Sequence, residues 1–126
     1  MSVGDALDVR TEEGVVIARL IGEIDLSNAR PIGSLVAGAV SNDAAGVVLD
    51  LTDTTYLDSS GVHLVFDLAE RLSSRQQRLA LAVPDGSRIR RVLDLVNMKA
   101  SVPVEVTVDA AATAVRGSPG GGAETR

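Results

Sequence analysis

At 126 residues with 45 % apolar side chains, the chain is the size of one domain and long enough to hold a single core without staples. It has no cysteine, one histidine (His63) and only Tyr56 and Phe66 as aromatics, which excludes disulfides and thiolate or imidazole metal clusters and leaves an aliphatic core. Twelve basic against seventeen acidic residues give a net charge of −5, which repels phosphate backbones and anionic lipid, so neither nucleic acid nor a membrane is an expected partner.

In chain order, Leu7 and Val9 alternate with polar residues, Thr11-Glu12-Glu13-Gly14 supplies a turn, and Val15 to Ile21 is apolar but for Arg19, which predicts a hairpin. Gly22 breaks that run, and Glu23 and Asp25 appear as the strand gives out. Ile32, Leu35, Val36, Ala39 and Val40 recur at helical spacing behind Ser27 or Asn28 as cap, with Pro31 tolerated in the first turn. Gly46 to Leu51 is a short aliphatic run of the kind buried on both faces and should sit centrally in the sheet. Thr54 to Ser60 reads as a loop entering a second helix whose stripe is Val62, Val65, Phe66, Ala69 and Leu72, with Asp67, Glu70, Arg71 and Arg75 outward. Leu79 to Val83 is a strand ended by Pro84. A third helix opens at Asp85 or Ser87, burying Ile89, Leu93 and Val96 and turning Arg88, Arg90, Arg91 and Asp94 to solvent. Val102 to Val106 is a last strand and Asp109 to Val115 a final helix. The expected fold is α/β, a mixed sheet of about five strands covered by about four helices, within one domain over residues 1–116; residues 117–126 form a disordered Gly-rich tail. No start resembling a signal peptide and no bilayer-length apolar run is visible, so a cytoplasmic protein is expected.

Several chemistries compete for the polar residues. Ser60 and His63 stand three apart on one helical face, but there is no G-x-S-x-G elbow, and a cationic imidazole in a first helical turn is opposed by the helix dipole. The glycines near the C-terminus lack a Walker lysine and a preceding strand. Glu23, Asp25, Asp50, Asp53 and Asp58 are hard-cation ligands near strand ends, as a receiver-type phosphotransfer domain would need. Against that reading, Asp50 lies within its apolar run and Lys99 follows a helix rather than a strand. The arginines 88, 90 and 91 read as a solvated face. What remains is a serine modified at a helix start, where the free N–H groups would receive a phosphate's charge of about −1.5 to −2. The effect of such a charge would fall on a partner's surface.

Gly22-Glu23-Ile24-Asp25, Val48-Leu49-Asp50-Leu51, Tyr56-Leu57-Asp58-Ser59-Ser60-Gly61 and Arg90-Arg91-Val92-Leu93-Asp94-Leu95, in this order and across residues 5–115, resemble the STAS-domain anti-sigma-factor antagonists. The resemblance implies a non-enzymatic protein without catalytic residues, metal or cofactor. Unphosphorylated, it would bind an anti-sigma factor that is also a serine kinase and so free a sigma factor. It further implies phosphorylation of Ser60 by that kinase, reversal by a serine phosphatase, and a partner surface comprising Asp25, Asp58, Ser59, Ser60, Gly61 and His63. His63 departs from the small residue common at that position. A monomer or weak dimer is expected; the alternative role is a non-switching adaptor in a stress-signalling or lipid-transport complex.

Overall fold

The computed structural model describes residues 3–117, so residues 118–126 of the expected tail lie outside the described residues. A single turn, α1 (Val3–Ala6), leads into β1 (Leu7–Glu12), which pairs antiparallel with β2 (Val15–Leu20). Their connection is tighter than expected: only Glu13 and Gly14 lie outside the strands, with φ of 49° and 78°, the two left-handed residues of a primed hairpin turn.

The remaining strands of the main sheet are β4 (Gly46–Asp50), β6 (Arg78–Ala82) and the two-residue β7 (Val104–Glu105). The order is β1-β2-β4-β6-β7, parallel from β2 onward, so the sheet is mixed and β4 is central, as its composition predicts. Every residue of β4 is buried. The expected strand over 102–106 shrinks to β7, although the Pro103 carbonyl still accepts the Leu81 N–H.

Strand alternation divides the core in two. Val16, Ala18, Leu20, Val47, Leu49, Leu79, Leu81 and Val83 face α2 (Ala29–Gly38), α3 (Ser59–Ser73) and α4 (Arg88–Leu95). Val15, Ile17, Val48, Ala80 and Ala82 face α5 (Val108–Arg116), which meets them with Ala111, Ala112 and Val115. In α3 the buried set includes Leu64 and Leu68 beyond the predicted stripe, because this helix packs on both the sheet and α2.

Two departures concern short elements. Gly22–Ile24 is a strand of its own, β3, paired in parallel with β5 (Thr54–Leu57), which the sequence presents as loop. The Gly22 N–H donates to the Asp53 carbonyl (2.9 Å) at the start of this second sheet, and the buried Thr54 hydroxyl ties it to the first by donating to the Leu20 carbonyl of β2 (2.7 Å). In α4, Ser87 is the cap as predicted, but Val96 is 41 % exposed, and Arg90 is not a solvated residue. Its guanidinium folds back to donate to the Val83 carbonyl at 2.9 Å.

Candidate functional site

β3 and β5 end side by side, with Ile24 paired to Leu57, and the next residues are Asp25 and Asp58. Each acid ends a short parallel strand and begins the approach to a helix, α2 or α3. The Asp58 N–H also donates to the Ile24 carbonyl at 3.3 Å, closing the two segments together. The structure therefore joins the two acids of the sequence motifs, 33 positions apart, at one end of the fold.

Asp58 is the cap of α3, its carboxylate accepting the Ser60 N–H at 2.8 Å and the Gly61 N–H at 3.2 Å. Ser59 and Ser60 are then the first two helical residues, and neither hydroxyl is used as a cap. Asp25 Oδ1 accepts the Ser27 N–H at 2.9 Å and the Ser27 hydroxyl at 2.6 Å. Those two donors, the hydroxyl foremost, hold the Asp25 carboxyl below its ordinary value. Asn28, expected as a helix cap, makes no such bond. Its buried side chain instead accepts from the Asp25 N–H and donates to the Glu23 carbonyl, fixing the loop that carries Asp25.

Asp50 makes the same local turn, accepting the Thr52 N–H at 3.0 Å and the Thr52 hydroxyl at 2.6 Å. It is the last residue of β4 rather than an interior one, which corrects one ground for setting aside receiver-type chemistry. The other ground gains detail: Lys99 lies in a 3-10 turn, Met98–Ala100, after α4. Asp50 is moreover buried, with one oxygen committed to Thr52.

Three aspartates thus hold the amide of a Ser or Thr two residues on, and they differ in one respect. The Ser27 and Thr52 hydroxyls donate back to their carboxylates. Among the described residues, the Ser60 hydroxyl has no hydrogen-bond partner, and Ser60 is partly exposed.

Gly61 is buried, and a Cβ there would collide with the Leu57 side chain, coming within 2.8 Å of its Cγ and 3.2 Å of the Ile24 carbonyl. The glycine lets the first turn of α3 lie on β5 and β3, a structural task that accounts for it without a partner.

His63 is exposed and lines an open groove of about 790 Å³ between α2 and α3 with Ser59, Ser60, Arg30, Asp67 and Arg71. Arg30, Asp67 and Arg71 are not legible as site residues, because they sit on polar helix faces, and Arg30 joins the groove with Ser60 only once α2 packs on α3. The groove, the free hydroxyl and the paired acids offer an acceptor for group transfer and a polar surface for a protein partner. Among the described residues, no helix is long and apolar enough to cross a membrane.

A mixed sheet with α2, α3 and α4 on one face, α5 on the other, and a serine at the start of α3 is the arrangement of a STAS domain. The sequence matches the model of that family, described as STAS domain, over residues 6–111, and the chain belongs to the family. The anti-sigma-F factor antagonist RsfB of Mycobacterium tuberculosis is 28 % identical over 119 residues, covering 93 % of this chain and 96 % of its own. The crystal structure of an anti-sigma factor antagonist from Mycobacterium paratuberculosis matches with TM-score 0.77 at 25 % identity, over 88 % of this chain and 93 % of that one. A sulfate transporter family protein from Wolinella succinogenes shares the fold, with TM-score 0.70 at 19 % identity over 85 % of this chain and 88 % of its own.

Proposed function

We propose that this protein is an anti-sigma factor antagonist that binds a serine-kinase anti-sigma factor while Ser60 is unmodified and loses that partner when the kinase phosphorylates Ser60. The observation that carries this reading is the Ser60 hydroxyl, free and partly exposed while its amide is locked by Asp58. A fixed backbone presents the nucleophilic oxygen in one place, and no internal bond has to break before transfer. The kinase moves the γ-phosphoryl group of Mg-ATP to Ser60 Oγ, breaking its bond to the β-phosphate so that ADP leaves, and takes the hydroxyl proton; this chain is the substrate.

The switch is electrostatic and steric. Phosphorylation adds about −1.5 to −2 charges beside Asp58 and close to Asp25. Like unit charges about 4 Å apart cost roughly 1 kcal/mol in water and about 4 kcal/mol at an effective dielectric of 20. Each ~1.4 kcal/mol is tenfold in affinity, so one phosphate is enough to part a complex of ordinary strength. A serine phosphatase would restore the binding form, and the exchange would run in the cytoplasm. Relatives named as anti-sigma factor antagonists support the general role.

The test combines mass spectrometry with binding. Incubated with the host's anti-sigma-factor kinases and Mg-ATP, the wild type should gain one phosphate on Ser60. Ser60→Ala should bind the kinase constitutively, and Ser60→Asp at least tenfold more weakly. Equal affinity for all three forms, or phosphate on no serine, sinks the proposal. Purification from the host with a transporter subunit in place of a kinase would favour a non-switching adaptor.

A further inference from the structure

The groove beside Ser60 holds positive charge that the fold itself does not use. Free N–H groups at a helix start ordinarily receive a phosphate, which is what the sequence leads one to expect. In α3 the Asp58 carboxylate already takes the Ser60 and Gly61 N–H groups, and the Val62 N–H donates to the Asp58 carbonyl. A phosphate on Ser60 therefore meets a carboxylate where those donors would be, and its counter-charge has to come from side chains.

The charged and titratable groups lining the groove are Arg30 from α2 and His63, Asp67 and Arg71 from α3; Asp58, the cap of α3, adjoins Ser59 and Ser60 in the chain. Arg71 faces Asp67 at 3.8 Å and is partly compensated. Arg30 has neither an ion pair nor a side-chain hydrogen bond among the described residues. α2 follows β3 and α3 follows β5, which pair in parallel, so the two helices run in the same direction. They approach each other at Gly33 and Leu64, where a Cβ on the glycine would lie 3.5 Å from Leu64 Cγ. One turn earlier on each helix, Arg30 and Ser60 open into the same groove, and His63 follows Ser60 at the i,i+3 spacing that puts two side chains on one face.

Resting on the reading that Ser60 is the phosphorylated residue, we infer that Arg30 and His63 form an intramolecular receiver for the phosphoserine, holding the phosphoryl group in the chain's own groove. Arg30 supplies a permanent charge and a planar fork of donors suited to phosphate oxygens. His63 adds a ring N–H donor and, when protonated, a second cation, which a dianion at position 60 stabilises against the opposing helix dipole. Arg30 and His63 together would hold the phosphate against Asp58 and Asp67, which oppose it. A dianion favours the protonated form of a neighbouring imidazole, and neighbouring cations favour the fully ionised phosphate. The modified serine would be withdrawn from partners as well as repelled by them.

The test installs phosphoserine at position 60 of the full chain by genetic incorporation, so it does not depend on any kinase and stands whether or not Ser60 is a kinase substrate in the host. Ring-proton NMR of His63 and phosphorus NMR of the phosphoserine are followed from about pH 5 to 8. The His63 midpoint should lie about half a pH unit or more above that of the unmodified chain. Arg30→Gln and His63→Gln, both at exposed positions, should each raise the phosphate midpoint. A His63 midpoint identical in the two chains, or a phosphate midpoint unmoved by both substitutions, overturns the inference.

Discussion

Asp58 decides where α3 begins, and with that where the Ser60 hydroxyl points. Its single oxygen Oδ1 takes two of the first-turn amides, so the cap and the fixing of Ser60 are one interaction. Asp58→Ala should therefore lower stability by about 1 kcal/mol, within the roughly 0.5–2 kcal/mol typical of lost caps. Asp58→Asn, which keeps an acceptor oxygen, should lose only part of it. Urea unfolding of the three chains at pH 7 measures the difference; an unchanged midpoint in the alanine chain would mean that the cap is dispensable. That an acid or hydroxyl caps this helix was legible from Asp58-Ser59-Ser60, but not which of them does so. All three are good caps, and only the backbone path from β5 gives the place to the aspartate. Likewise, nothing local distinguishes Ser27 and Thr52, whose hydroxyls turn back onto their acids, from Ser60, whose hydroxyl does not.

Among the elements, the long periodic ones were readable and the short bridging ones were not. β2, β4, β6 and the four longer helices carry their own apolar pattern, because each buries a face over several residues. β3 and β5 have three and four residues, and what makes them strands is their mutual pairing across a helix and β4. Arg90 failed for a related reason: the helical period puts it with the outward arginines, yet its side chain is long enough to return to the end of β6. The small sheet holds the site because it aligns Asp25 with Asp58, and it is fastened to the main sheet by Thr54. Thr54→Val keeps the shape and removes the donor, leaving the Leu20 carbonyl without that bond at a cost of about 1–3 kcal/mol. Hydrogen exchange at the Gly22 and Asp58 amides, which bridge the segments, should accelerate, and Thr54→Ser should restore part of the protection. Unaltered exchange in the valine chain would place the fastening elsewhere.

Over the whole molecule, the main sheet separates the proposed site from the α5 face. α2 and α3, with the groove and Ser60, lie on one face of the sheet, and α5 lies on the other against Val15, Ile17, Val48, Ala80 and Ala82. Small residues on both sides of this second core bring α5 close to the strands, and Val115 is the largest buried side chain that the helix contributes. Val115→Ala removes two buried methyl groups, which should cost about 1.5–3 kcal/mol including the cavity left behind. Energetic effects of well-separated sites without shared partners are nearly independent. The Val115→Ala chain should therefore unfold at lower urea, while, on the proposed function, its folded fraction should bind the anti-sigma kinase with wild-type affinity and be phosphorylated on Ser60 at the wild-type rate. A fall in affinity measured well below the unfolding midpoint would mean that strain passes through the sheet, and that the α5 face takes part in recognition rather than only supporting it.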